Sequence, residues 1–225
     1  MENELMVTEN IGGVVADFDL DDLTLERATI VHGTGKMSDE LEEQGARKGE
    51  IWTTESQEKL GDNENPLKLI VLDRKRILIT ETNTSPPEVI STEPYSPSNA
   101  NYKREDVIDG RDVKRYVAHD FYFVRCGENI DSDLPYVIRL KKTSTKTARR
   151  IMTDFARLAK QGKSSLDVVL ELSTKKQSND QHSWYVLDYN IAGDASDEEK
   201  TVAHTWFTQM QRASAQVTEE DIDFS

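Results

Sequence analysis

The stretch YVIRLKKTSTKTARRIMTDFARLAKQG, Tyr136 to Gly162, holds two local patterns end to end. Tyr136, Ile138 and Leu140 alternate with Val137, Arg139 and Lys141, the period of a half-buried strand with one apolar and one cationic face. Thr143 or Ser144 then offers an N-cap. Ala148, Ile151, Met152, Phe155, Leu158 and Ala159 recur at helical spacing until Gly162 supplies a stop. The spacing predicts an amphipathic helix of about four turns, with Arg149, Arg150, Arg157 and Lys160 on its solvent side. Charge sets this region apart. Residues 139–176 contain eleven Lys or Arg against Asp154, Asp167 and Glu171, a net of +8 in a 225-residue chain whose formal charge is −14.

On the C-terminal side, LDVVLEL puts Leu166, Val168, Leu170 and Leu172 on one side of a strand. A turn bearing Lys175 and Lys176 follows, and WYVLDYNI opens another strand at Trp184. On the N-terminal side, RYVAHDFYFVRC gathers Tyr116, Phe121, Tyr122 and Phe123 ahead of Arg125. Before it, LKLIVLDRKRILITET is a long β-rich run interrupted from Asp73 to Arg76. The interruption reads as a hairpin turn or a strand bend, and either projects Arg74, Lys75 and Arg76 together. GEIWTTES is strand-like, with Trp52 expected in the core.

Residues 81–112 hold four of the six prolines and few aliphatics, so they read as a long loop. Loops of that length are functional or disordered, and Tyr95, Tyr102, Lys103 and Arg104 give this one rings and charge to bind a single strand. The order strand, strand, strand, helix, strand, hairpin, strand is that of an OB-fold, a five-stranded barrel with one helix between strands three and four. The predicted class is therefore mainly β with α (α+β). Residues 1–48 form an acidic N-terminal arm, 49–193 the barrel and 81–112 its long loop. The barrel would present residues 116–125, 136–142, the long loop and the Lys175, Lys176 turn to an oligonucleotide.

The remaining features narrow the function class. No apolar run approaches the roughly 20 residues that span a bilayer, and the acidic start lacks the features of a signal peptide, so a cytoplasmic protein without membrane contact is expected. One cysteine, Cys126, excludes an internal disulfide framework, and the four scattered His suggest no metal or other cofactor. Asp17, Asp19 and Asp21 imitate a calcium loop but Asp22 and Ala28 break the pattern. Gly33, Gly35 and Lys36 imitate a phosphate loop but Ile30 and Met37 break that one. Without a paired nucleophile or metal-ligand spacing, the reading is a binding protein and not an enzyme.

After Gly193, SDEE from Ser196 to Glu199 is a capping box opening a C-terminal helix, residues 194–215, with Val202, Ala203, Trp206, Phe207 and Met210 on one face. An acidic tail, residues 216–225, closes the chain as VTEEDIDFS. Strand order over residues 50–192 together with EEDIDFS resembles the single-stranded DNA-binding proteins of bacteriophages and bacteria, which join an OB-fold to an acidic tail ending in an aromatic residue. Phe224 stands in the aromatic place, although Ser225 follows it.

That resemblance implies sequence-independent binding of single-stranded DNA in replication, recombination or repair, in the host cytoplasm if the protein is phage-encoded. The expected nucleic-acid contacts are Arg74, Arg76, Tyr122, Arg125, Tyr136, Arg139, Lys141, Lys142, Arg149, Arg150, Lys175, Lys176 and Trp184. Glu219, Glu220, Asp221, Asp223 and Phe224 would recruit replication or recombination proteins and regulate binding. Monomer and dimer are both compatible with the pattern. The rival class is an acidic DNA mimic or adaptor that binds another protein through its carboxylates.

Overall fold

The computed structural model describes residues 25–32, 36–127, 134–179 and 183–220. In chain order its elements are β1 (Glu26–Ile30), α1 (Lys36–Glu43), β2 (Ile51–Thr53), β3 (Lys59–Gly61), β4 (Leu67–Thr82), β5 (Val89–Pro94), β6 (Glu105–Ile108), β7 (Arg111–Arg125), β8 (Tyr136–Leu140), α2 (Thr145–Ala159), β9 (Val168–Ser178), β10 (Ser183–Asp194) and α3 (Asp197–Glu220). The protein is mainly β with α, as expected. Its strands form one sheet in the order β10-β9-β4-β7-β8-β1-β2-β3, with β5 on β4 and β6 on β7.

The sheet curls around its main core because its long strands are apolar on the inner face. Leu67, Leu69 and Val71 of β4, Phe121 and Phe123 of β7, Ile138 and Leu140 of β8, Leu170 and Leu172 of β9, and Leu187 of β10 meet there. Ala148 and Ile151 of α2 are buried against them, and Met152 and Phe155 pack at the margin. The helix is the one its periodicity predicts. Thr147 Oγ1 donates 2.7 Å to the Leu187 carbonyl, pinning α2 to β10.

β4 is apolar on both faces from Leu69 to Leu72, which explains the continuous run LIVL. Its outward Ile70 and Leu72 lie with Val124 under α3, where Ala203 and Met210 are buried and Trp206 and Phe207 partly so. The capping box forms: Glu199 Oε2 accepts from Ser196 N at 2.8 Å, and Ser196 Oγ accepts from Glu199 N at 3.2 Å. The interruption at Asp73–Arg76 is a bend and not a turn. A register shift falls between Val71 and Asp73, and β4 runs on to Thr82 paired with β7 throughout.

Three expectations are corrected. The sheet has ten strands where a five-stranded barrel was expected. Strands β4, β7, β8, β9 and β10 would close only if β8 paired with β10, but the free edge of β8 takes β1 in parallel, Glu26 opposite Tyr136. Residues 1–48 are therefore not all arm: Ala28, Ile30, Val31 and Leu41 are buried. Residues 1–24 of that arm lie outside the described residues. At the opposite margin, Thr174 Oγ1 of β9 donates to the Gly49 carbonyl, and a Cβ at Gly49 would sit 2.4 Å from the Tyr185 ring. The curled sheet thus comes together beside Gly49 through side-chain contacts and close packing.

The second correction concerns residues 81–112. They are not one long loop: β4 folds back as β5, and β6 and β7 form a hairpin with Ile108 opposite Arg111. Asp109 (φ 50°) and Gly110 (φ 76°) make its two-residue turn, which needs a left-handed backbone at both positions. Third, the C-terminal helix continues to Glu220, past the expected boundary at 215.

Candidate nucleic-acid interface

Beside α2 the edge of β7 changes partner. β8 pairs with residues 119–123 and β6 with residues 111–114, so Arg115 to Ala118 lie in a gap between two neighbouring strands. An open cleft of about 1240 Å³ lies there, lined from β4, β7, the β5–β6 connection and the N-terminal end of α2. Small-molecule pockets occupy about 300–1,000 Å³ and enclose their ligand, so an open trough of this size suits a polymer better.

The lining is cationic. Arg74 and Arg76 come from β4, Arg104 precedes β6, Lys114 and Arg115 come from β7, and Lys142, Lys146 and Arg149 from the start of α2. Glu81 and Glu105 are the carboxylates among them. Arg115 is held by Asp106 at 3.1 Å and Lys142 by Glu81 at 2.7 Å. Among the described residues, Arg74, Arg76, Arg104, Lys114, Lys146 and Arg149 form no ion pair. Their field is therefore available to an anion.

Rings stand between the charges. Tyr95 and Tyr102 pack edge to face at 6.4 Å, and Arg76 lies over Tyr95 at 4.7 Å. Tyr116 donates 2.8 Å to Glu81 Oε2, while Lys142 takes Oε1 and covers the Tyr116 ring at 5.3 Å. Burial and Glu81 push the Tyr116 phenol far up, so it stays a donor. Lys142 has φ 51°, a left-handed backbone that a side chain adopts only at a cost, at the corner that aims its ammonium at Glu81. His119 Nδ1 lies 3.2 Å from Arg74 Nη1. Burial first, then Arg74, Arg149 and Arg76, hold the imidazole down to about 4, so it is neutral at pH 7.

Of the expected contacts, the cleft collects Arg74, Arg76, Lys142 and Arg149, and with them Tyr95, Tyr102 and Arg104 from the predicted loop. The others are placed elsewhere. Arg139 makes a two-pronged pair with Asp120, 2.7 Å at each oxygen, and the carboxylate is buried. Arg125 pairs with Glu58 at 2.7 Å, and Tyr136 is buried against Phe123 with ring centroids 5.5 Å apart. Tyr122 packs at the margin of the α3 layer, with Lys75 over its ring at 5.4 Å.

Partial burial and then Lys142 push the Lys141 ammonium down, and its charge in turn acts on His32, outside the cleft lining. Arg150 pairs with Asp188 at 3.2 Å and covers Tyr189 at 5.1 Å. Lys175 and Lys176 are exposed on β9 opposite Val186 and Tyr185, and Trp184 is part-buried on β10 with its Nε1 unpartnered among the described residues; none of the three lines the cleft. Glu219 and Glu220 end α3, while Asp221, Asp223 and Phe224 lie outside the described residues.

Sequence reading passed over Lys114, Arg115 and Lys146. Arg115 and Lys114 flank a β-rich run and carry a signal only once the hairpin at Asp109-Gly110 is recognised. Cys126 is half-buried, its thiol pushed up to about 12 by burial and Glu199, so it carries no nucleophile. Among the described residues no helix is long and apolar enough to cross a membrane.

No curated protein and no solved structure matches the chain significantly. A family model does: the one described as Pam3 phage gp34-like protein matches residues 7–222. The chain therefore belongs to the family of Pam3 phage gp34-like proteins.

Proposed function

We propose that this phage-family protein binds single-stranded DNA without sequence preference during DNA replication, recombination or repair. The observation that carries the reading is the cleft, where six cations without ion pairs alternate with Tyr95, Tyr102 and Tyr116 in an open trough. Phosphates would be neutralised by Arg76, Arg104, Lys114 and Lys146, releasing counterions, while tyrosine faces take bases at about 1–3 kcal/mol each. Every base has a ring face, so stacking of this kind is sequence-tolerant.

The finer fold reading, an OB-fold elaborated by extra strands, is supported by the order β4-β7-β8, α2, then the β9–β10 hairpin with β9 back on β4. In that reading β1 is an insertion between β8 and β10. The acidic residues from Glu219 to Phe224 would serve partner proteins and compete with DNA for the cleft. A DNA mimic would instead spend its cations on internal pairs, which the unpaired lining disfavours.

The test is titration of fluorescent oligo-dT at two salt concentrations with duplex as control. Single-strand binding that weakens steeply with salt supports the proposal. Equal or stronger duplex binding, or none to either, removes it.

A further inference from the structure

The uncompensated charge of the cleft is not evenly spread. Arg74 is part-buried, its Nη1 faces a neutral imidazole, and among the described residues its Nε has no hydrogen-bond partner. A guanidinium can only donate, so His119 Nδ1 accepts and the ring's other nitrogen, Nε2, carries the proton. Asp73, the adjacent acid, directs Oδ1 to the Arg74 backbone N–H at 2.7 Å and forms no ion pair with the side chain. Arg76 projects from the same side of β4 and is directly opposite His119 in register. Arg149 of α2 acts on the same imidazole.

The helix adds to this field. α2 has no acidic residue in its first turn, its N-cap Ser144 makes no side-chain capping bond, and Thr143, Thr145 and Lys146 line the cleft beside it. A run of phosphodiesters, one charge each, is matched by cations spaced along a path. Three guanidiniums gathered around one neutral donor match a single group with more charge, and a phosphomonoester carries about −1.5 to −2 at pH 7. Arg76 already lies over the Tyr95 ring at 4.7 Å, so less freedom is lost when its fork meets phosphate oxygens.

We propose that the Arg74, Arg76, Arg149 and His119 end of the cleft is a phosphomonoester subsite that takes the terminal phosphate of a nucleotide chain. The proposal deepens the single-strand reading and rests on it: the strand lies along the cleft with its phosphorylated end anchored here. The same chemistry is present on a free mononucleotide, so the experiment includes one.

The full chain is titrated with oligo-dT bearing a 5′-phosphate or 5′-hydroxyl, and separately a 3′-phosphate or 3′-hydroxyl, the label being at the other end. Thymidine monophosphate and thymidine serve as competitors. One phosphorylated end is expected to bind about tenfold tighter than its hydroxyl counterpart, the effect of one further charge-assisted contact. Arg149→Gln, on an exposed position, should erase that ratio, and so should Arg76→Gln. Competition by the monophosphate but not by thymidine would identify a free nucleotide as sufficient, and its failure would restrict the subsite to strand ends.

Equal affinity for phosphorylated and unphosphorylated ends, with both binding, overturns the subsite and leaves the strand reading standing. Binding of the monophosphate with no oligomer binding sinks the strand reading instead. No binding of any of these ligands overturns both.

Discussion

Two basic regions of this molecule look alike in sequence and differ in kind. On β8 and its neighbours, Arg139, Arg125 and Arg150 each meet a carboxylate from another element: Asp120, Glu58 and Asp188. In the cleft, Arg74, Arg76, Arg104, Lys114, Lys146 and Arg149 meet none among the described residues. The first set holds the sheet and its helix together. The second holds a field open to solvent. Charge density along a chain does not distinguish them, because partners are supplied by strands far away in sequence.

Reversing three cleft charges, Arg76→Glu, Arg104→Glu and Arg149→Glu, should give the largest effect. Oligo-dT affinity at low salt should fall on the order of a thousandfold, and the slope of log K against log salt should shrink by about 2, as expected for three lost single-strand phosphate contacts. The melting temperature should hardly move.

Arg139→Ala inverts the pattern. It leaves the buried Asp120 carboxylate alone, so stability should fall by about 3 kcal/mol in urea unfolding while the folded fraction binds oligo-dT as before. A matching loss of affinity in the folded protein would merge the two regions into one.

Tyr116→Ala removes a stacking face and one of Glu81's partners; about 1–2 kcal/mol of binding should go. Tyr116→Phe keeps the ring and should recover most of that in the same titration. Acid probes the cleft through His119. Its folded pKa of about 4 lies below the ordinary histidine value of about 6.5, so the unfolded chain binds the extra proton first. Stability should therefore be complete above pH 6.5 and decline as pH falls toward 4, by about 1–2 kcal/mol where water reaches the ring. His119→Asn should flatten that part of the profile. The smallest change is expected from Lys175→Glu with Lys176→Glu, less than about threefold in affinity, since neither lines the cleft.

Periodicity carried much of the fold. The α2 face, the long β-rich run of β4, the strand at Leu170 and the capping box at Ser196 were all legible, since each is written within a few neighbouring residues. β1 was not. ERATI is short, lies beside acids, and owes its place to parallel pairing with residues more than a hundred positions away. Residues 81–112 were obscured by proline, although Asp109-Gly110 flanked by Ile108 and Arg111 is a strong hairpin signal that composition outweighed.

The cleft was half legible. Arg74, Arg76, Lys142, Arg149, Tyr95 and Tyr102 carry the charge and rings that the cleft brings together, but nothing local distinguished Arg76 from Arg139. The cross-strand register that sets Asp120 against Arg139 decides it, and register is a property of the folded sheet.

The parallel seam between β1 and β8 carries a consequence for assembly. Glu26 meets Tyr136, so β1 can pair with β2 as soon as both exist, but its other edge must wait until β8 is made. Contacts of such high sequence separation slow folding, and during the delay the Tyr136–Leu140 edge is a bare template for another chain. A nascent or N-terminally trimmed copy should be the aggregation-prone form, whatever the finished protein binds.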